Sequence, residues 1–170
     1  MAVTKIPYDF IDKRVSLGWR DVAFGLEHQW IGPKVAIERA TDRLCEADST
    51  SADEVELAGL SASDSIIDIV SRLANAEGAS TEETCRAKWL YLTLAWLFAN
   101  RGSLNDALAM VEEVYSDFGY PREVASFVRY MPMVGPDLGN REENEARLYS
   151  NWKDYIDEAG KRFARSARAT

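Results

Sequence analysis

Few residues in this chain could do covalent or acid–base chemistry. His28 is the single histidine, so any Ser-His-Asp or Cys-His arrangement would have to use it. It stands beside Trp30 on the polar side of an amphipathic segment, the ordinary place of a surface histidine, and nothing else in the sequence supports a triad. Cys45 and Cys85 lie 40 residues apart, which is neither a disulfide framework nor a zinc pattern. Each falls within an amphipathic stretch, where a free cysteine is expected as a small buried apolar residue. The glycines are scattered and make neither GxxxxGK nor GxGxxG, so no phosphate loop is present. No catalytic residue and no cofactor are expected, and the chain does not read as an enzyme.

Carboxylates are the one chemical group in excess. Between residues 46 and 83, Glu46, Asp48, Asp53, Glu54, Glu56, Asp64, Asp68, Glu77, Glu82 and Glu83 face only Arg72, a local charge of −9. A calcium loop needs oxygen ligands at alternating positions, a glycine at the bend and a closing glutamate. The stretch from Asp48 to Glu56 lacks that glycine, and Asp137, Asn140, Glu142 and Glu143 have the wrong spacing, so no metal is expected. Paired carboxylates for glycoside hydrolysis need only geometry, so a carboxylate-dependent hydrolase stays open as an alternative. Such an enzyme requires a cleft holding a carboxylate of raised pKa.

Charge sign narrows the partner. The chain carries −8, and removing the four cations Lys161, Arg162, Arg165 and Arg168 leaves −12 on residues 1–159. A body of that sign repels phosphate backbones, so direct nucleic-acid binding is not expected. The basic end suits the negative pole of a terminal helix. The acidic stretch is then either a solubilising surface or a docking surface for a basic protein. In the docking reading, Asp48, Asp53, Glu54, Glu56, Asp64 and Asp68 are the contact residues.

These residues must be positioned by helices, because helical periodicity dominates and no strand alternation is evident. With 170 residues, 46% of them hydrophobic, the composition is globular. The expected architecture is all-α: a single compact domain of about eight helices over residues 1–163, with a basic frayed tail at 164–170. The segment Met1 to Pro7 lacks the apolar core of a signal peptide. The longest apolar run, Trp89 to Ala99 broken by Thr93, is short of the ~20 residues that span a bilayer. A cytoplasmic chain without a membrane partner is expected.

The predicted helices run from Tyr8 to about Val15, Trp19 to Trp30, Pro33 past Cys45, Asp53 to Leu60 and Ser65 to Ala76. Ile66, Ile67, Ile69, Val70 and Leu73 are the apolar face of the fifth. Ser80 with Glu83, Ser103 with Asp106, and Asn140 with Glu143 have the spacing of N-terminal caps for the next three long helices. Pro121 opens a shorter helix to Met131 before the loop at 132–139. Leu148, Trp152, Tyr155, Ile156, Ala159 and Phe163 trace the inner face of the last helix.

Two resemblances follow. Residues 91–121 resemble one tetratricopeptide unit, with Leu94, Ala95 and Phe98 on its first helix, Gly102 at the turn and Ala107 at the small packing position. The pattern occurs once and does not repeat at 34 residues, so it gives a hairpin near residues 82–118 rather than an array. A helical adaptor protein is the further alternative it suggests. Lys5-Ile6-Pro7-Tyr8-Asp9-Phe10-Ile11, Leu17-Gly18-Trp19-Arg20-Asp21-Val22, Gly25-Leu26, Gly32-Pro33 and Ala36-Ile37 resemble the opening of a family of small bacterial all-helical proteins. Members of that family look like immunity proteins of contact-dependent growth inhibition and related polymorphic toxin systems. The resemblance implies an all-helical fold and a cognate toxin domain as the protein partner, and it carries over no functional residue. It leaves open the toxin's activity, the docked face and the oligomeric state.

Overall fold

A computed structural model describes residues 5–46, 48–78, 80–133 and 135–164. The regular structure among them is entirely helical, eight α-helices and two 3-10 helices, in agreement with the all-α expectation. None of these helices is long and apolar enough to cross a membrane. Contacts divide the chain into two compact units, one within residues 2–89 and one within 90–164, and the sixth helix contributes to both. The basic tail past Ala164 lies outside the described residues.

The first unit holds α1 (Tyr8–Asp12), α2 (Trp19–Glu27), α3 (Pro33–Glu46), α4 (Ala52–Ala58), α5 (Ile67–Glu77) and the start of α6 (Glu82–Ala99). α2 packs on α5, and α4 packs on both α3 and α5. α2 ends three residues before the expected Trp30 because the chain turns left-handed at Gln29, φ 61°. Gln29 N–H donates to the Leu26 carbonyl at 3.1 Å and Trp30 N–H to the Gly25 carbonyl at 2.9 Å. That pair of bonds is a Schellman closure, with glutamine where glycine is usual. It brings the Trp30 ring within 5.8 Å of Trp89. Gly25 faces Trp89 closely enough that a Cβ there would lie 2.5 Å from the indole.

α3 buries Val35, Ala36, Arg39 and Ala40. Cys45 is exposed, contrary to the expectation of a buried residue, and Leu44 is 39% exposed. The inward face of α3 runs through Arg39 instead, and Cys45 falls on the same outer strip as exposed Thr41, one turn before it. α6 starts one residue later than the predicted Ser80 cap. Thr81 Oγ1 accepts from Thr84 N–H at 3.2 Å, while the Ser80 carbonyl takes the Arg20 guanidinium.

The second unit holds the end of α6, a 3-10 turn (Arg101–Ser103), α7 (Ala107–Asp117), a 3-10 helix (Arg122–Phe127) and α8 (Arg141–Phe163). α6 is buried nearly all round from Leu90 to Leu97, as its composition required. Asp106, not Ser103, caps α7 by accepting from Ala109 N–H at 3.0 Å. The Ser103 hydroxyl instead donates back to the Asn100 carbonyl. The helix expected from Pro121 to Met131 is only the short 3-10 helix. Asn140 caps α8 as predicted, accepting from Glu143 N–H at 2.8 Å. Trp152 on its inner face is fully buried and donates Nε1–H to the Leu94 carbonyl at 3.2 Å.

Two substitutions should move stability in opposite directions. Gly25→Ala forces the α2 backbone away from Trp89 and should cost about 1–3 kcal/mol in urea unfolding. Thr93 is wholly buried and its hydroxyl has no hydrogen-bond partner among the described residues. Thr93→Val removes that unmet group and should raise stability by about 1 kcal/mol.

Candidate functional site

The acidic residues of the first unit are set out by two short rules. Ser51 stops the chain in extended conformation and accepts from Glu54 N–H at 3.2 Å, which starts α4. Asp53 and Glu54 then sit in its first turn and Asp68 in the first turn of α5, where carboxylates suit the helix dipole. Packing of α4 on α5 brings Asp53 to Arg72. The guanidinium donates from Nη2 to Oδ1 at 3.0 Å and from Nε to both oxygens at 3.3 Å. The Arg72 pKa is raised, first by that hydrogen bond, then by the charge of Asp53, with smaller contributions from Glu56 and Asp68. Asp53 thus holds one exposed cation directly, while Glu56 and Asp68 act on it through their charge.

The other three residues of the sequence-derived set are placed differently. Asp48 is exposed and precedes the Ser51 cap. Asp64 closes its own turn, accepting from Ser61 N–H at 2.7 Å and Ser61 Oγ–H at 3.0 Å, and these bonds hold its carboxyl below the usual range. Glu54 is only 7% exposed and points inward, with Arg43 Nε 3.5 Å from its Oε2. It does not belong to the outer surface, because α4 turns the position after Asp53 toward α3.

The sequence reading missed the exposed apolar residues of α4 and α5. Ile67, expected in the core stripe of α5, is 68% exposed, and Val55 on α4 is 53% exposed. Ile67 lines an apolar groove of about 310 Å³ with Ala23, Leu26, Glu27, Val70 and Ser71. The available signal was crowding: Ile69, Val70, Leu73 and Ala74 already fill the buried face of the eleven-residue helix that follows buried Ile66, so a further apolar position has to turn outward.

His28, Asp21 and Cys85 are held in structural contacts. His28 Nδ1 lies 2.9 Å from the Phe24 carbonyl, and its ring stacks on Trp30 at 4.7 Å. Asp21 is buried; its Oδ2 accepts from Lys88 Nζ at 2.6 Å and from Gly18 N–H at 2.9 Å. Cys85 is buried beside it, and burial, then the Asp21 charge, push the thiol up to about 12. Asp64, Asp106 and Asp137 have lowered pKa values: Asp106 through Ala109 N–H, and Asp137 through the Asn144 amide and Gly139 N–H. Those shifts run opposite to what a general acid needs. Among the described residues, no group of three or more His, Cys, Asp or Glu could hold a metal ion.

Residues 8–160 match the model of the family described as "Uncharacterized protein conserved in bacteria (DUF2247)". No curated protein and no solved structure matches the chain. The match agrees with the bacterial family expected from the N-terminal motifs, and its description names no activity and no partner.

The two thiols should separate in a labelling experiment. At neutral pH a maleimide should modify Cys45 promptly, while Cys85 reacts only after denaturant is added, since the thiolate is the reactive form. Mass spectrometry of the native protein should show one adduct, on Cys45.

Proposed function

The chain belongs to this bacterial family, and on that premise we propose that it is a binding protein of the immunity type, which neutralises a cognate bacterial toxin domain. The partner is a protein with a basic surface, such as a nuclease, whose substrate requires one. The acidic protein covers the toxin's active site or the cationic surface next to it. One observation carries this reading: Asp53 pairs with exposed Arg72, and the charges of Glu56 and Asp68 also act on that single cation, so the acids of this face outnumber its base. Exposed Ile67 and Val55 on the same two helices supply apolar area of the kind a protein interface buries at its centre. Carboxylates on a binding surface raise the rate of encounter with a basic partner and select against acidic ones.

The work of binding falls on Asp48, Asp53, Glu56, Asp64 and Asp68, with Glu54 acting from inside through Arg43. Asp53 and Arg72 form an exposed pair worth little to stability, so neutralising the face leaves the fold intact.

The test has two stages. Capture from a native lysate of the source bacterium should yield one dominant partner, a C-terminal toxin domain of a large secreted protein. Association with that domain is then measured by stopped flow at low and high salt, for the wild type and for Asp53→Asn/Glu56→Gln/Asp68→Asn. The variant should associate about tenfold more slowly at low salt and lose most of the salt dependence. Recovery of chaperones and metabolic enzymes alone counts against the immunity reading. An unchanged low-salt rate removes this face from the interface.

A further inference from the structure

A second feature of the first unit lies behind α4 rather than on its outer face. A cavity of about 450 Å³ opens between the Ser16–Trp19 segment, α3, the start of α4 and the end of α5. Its size falls in the range of small-molecule sites, roughly 300–1,000 Å³. What sets it apart is the disposition of charge. α3 contributes Arg39 and Arg43, one turn apart; α4 contributes Glu54 and α5 contributes Glu77. Positive and negative groups therefore come from different walls of one enclosure.

Three of these four side chains are fixed by the protein. Arg39 is 9% exposed, donates Nε–H to the Leu17 carbonyl at 2.8 Å and stands 3.6 Å from Glu46. Glu77 accepts from Trp19 N–H at 2.6 Å, and it approaches so near that a Cβ on Gly18 would lie 2.5 Å from its Oε1. Glu54 is held by burial, and its Oε2 accepts no hydrogen bond among the described residues. Arg43 differs. Its Nε stands 3.5 Å from Glu54 Oε2, too loosely oriented to hydrogen-bond, and its terminal nitrogens donate to nothing among the described residues. Its side chain is 34% exposed, so the guanidinium fork is reachable at the cavity.

We propose that this cavity binds a small zwitterion of the α-amino-acid type, its carboxylate on the Arg43 fork and its ammonium toward the Glu54 and Glu77 wall. The guanidinium fork fits a carboxylate with two parallel hydrogen bonds. A ligand with a single charge meets one favourable wall and one of its own sign, whereas a zwitterion is matched by both. Leu17, Trp19 and Leu73 give the remaining lining an apolar character that suits a short aliphatic side chain. The site is separate from the outer carboxylates at Arg72, and the inference stands whether or not that face docks a toxin.

The test is isothermal titration of the full chain with glycine, L-alanine, L-valine and L-leucine, with propionate and n-propylamine as single-charge controls. At least one amino acid should bind, one per chain, and about tenfold or more tighter than either control. Arg43→Gln should weaken that binding by about tenfold or more, the worth of a charge-assisted pair. Because Arg43 also neighbours buried Glu54, a second variant, Ala76→Leu, fills the cavity from the α5 side without touching a charge. It should abolish binding while circular dichroism shows the helices intact. No heat with any of the four amino acids at about 10 mM, controls that bind as well as the zwitterions, or binding that survives Ala76→Leu would each overturn the proposal.

Discussion

The first unit depends on one buried carboxylate. Asp21 lies three residues into α2, where its side chain returns to Gly18 N–H and fixes the helix start. The same Oδ2 takes the Lys88 ammonium at 2.6 Å, and the Asp21 carbonyl takes Trp89 Nε1–H at 2.9 Å. α2 is thus joined to α6 by a charge and a backbone bond from a single residue. Removing one partner of such a pair leaves an uncompensated charge in the interior and typically costs about 3–5 kcal/mol, more than the pair contributes over an apolar replacement. The Cys85 thiol beside it is kept protonated first by burial and then by the same negative charge.

A similar economy governs the same end of α2 on its α5 side. Glu77, the last residue of α5, accepts from Trp19 N–H, and Gly18 is the residue that leaves room for it. Four of the N-terminal motif positions therefore have physical reasons. Ile6 is buried and bonded to Trp30, Gly18 admits Glu77, Asp21 binds Lys88, and Gly25 admits Trp89. These are reasons of packing and capping. They explain why the motif resembles a family while assigning no reacting group.

Helix existence was legible in the sequence because it depends on period and on breakers that act locally. Gly78 at φ 67°, Gly119 at φ 75° and the Asn140 cap all stand where the residue types put them. Helix ends set by tertiary demands were not legible. The Schellman closure at Gln29 uses a residue with no special preference for it, and Ser80 loses its cap role because Arg20 engages its carbonyl. The candidate site divides along the same line. A run of acids announced a negative region, but the inward turn of Glu54 and the pairing of Asp53 with a base nineteen residues away follow from α3, α4 and α5 packing together. No spacing rule within α4 contains that information.

The contrast between Asp53 and Glu54 bears on how charge at this face can act. Successive helical positions point about 100° apart, so two neighbouring carboxylates can have different partners and different surroundings. Glu54 is buried and turned toward Arg43, away from the outer surface. Asp53 meets Arg72 in the open, and Arg72 is at once shared with Glu56 and Asp68. One guanidinium can balance one carboxylate, so the outer group retains a net negative charge whatever the detailed geometry. A field of this kind extends over about a Debye length, ~8 Å at physiological salt, and acts before any contact forms. Such a field adds little to stability; in the proposed binding role it would act on which proteins arrive and how fast, while the fold rests on the buried pair at Asp21.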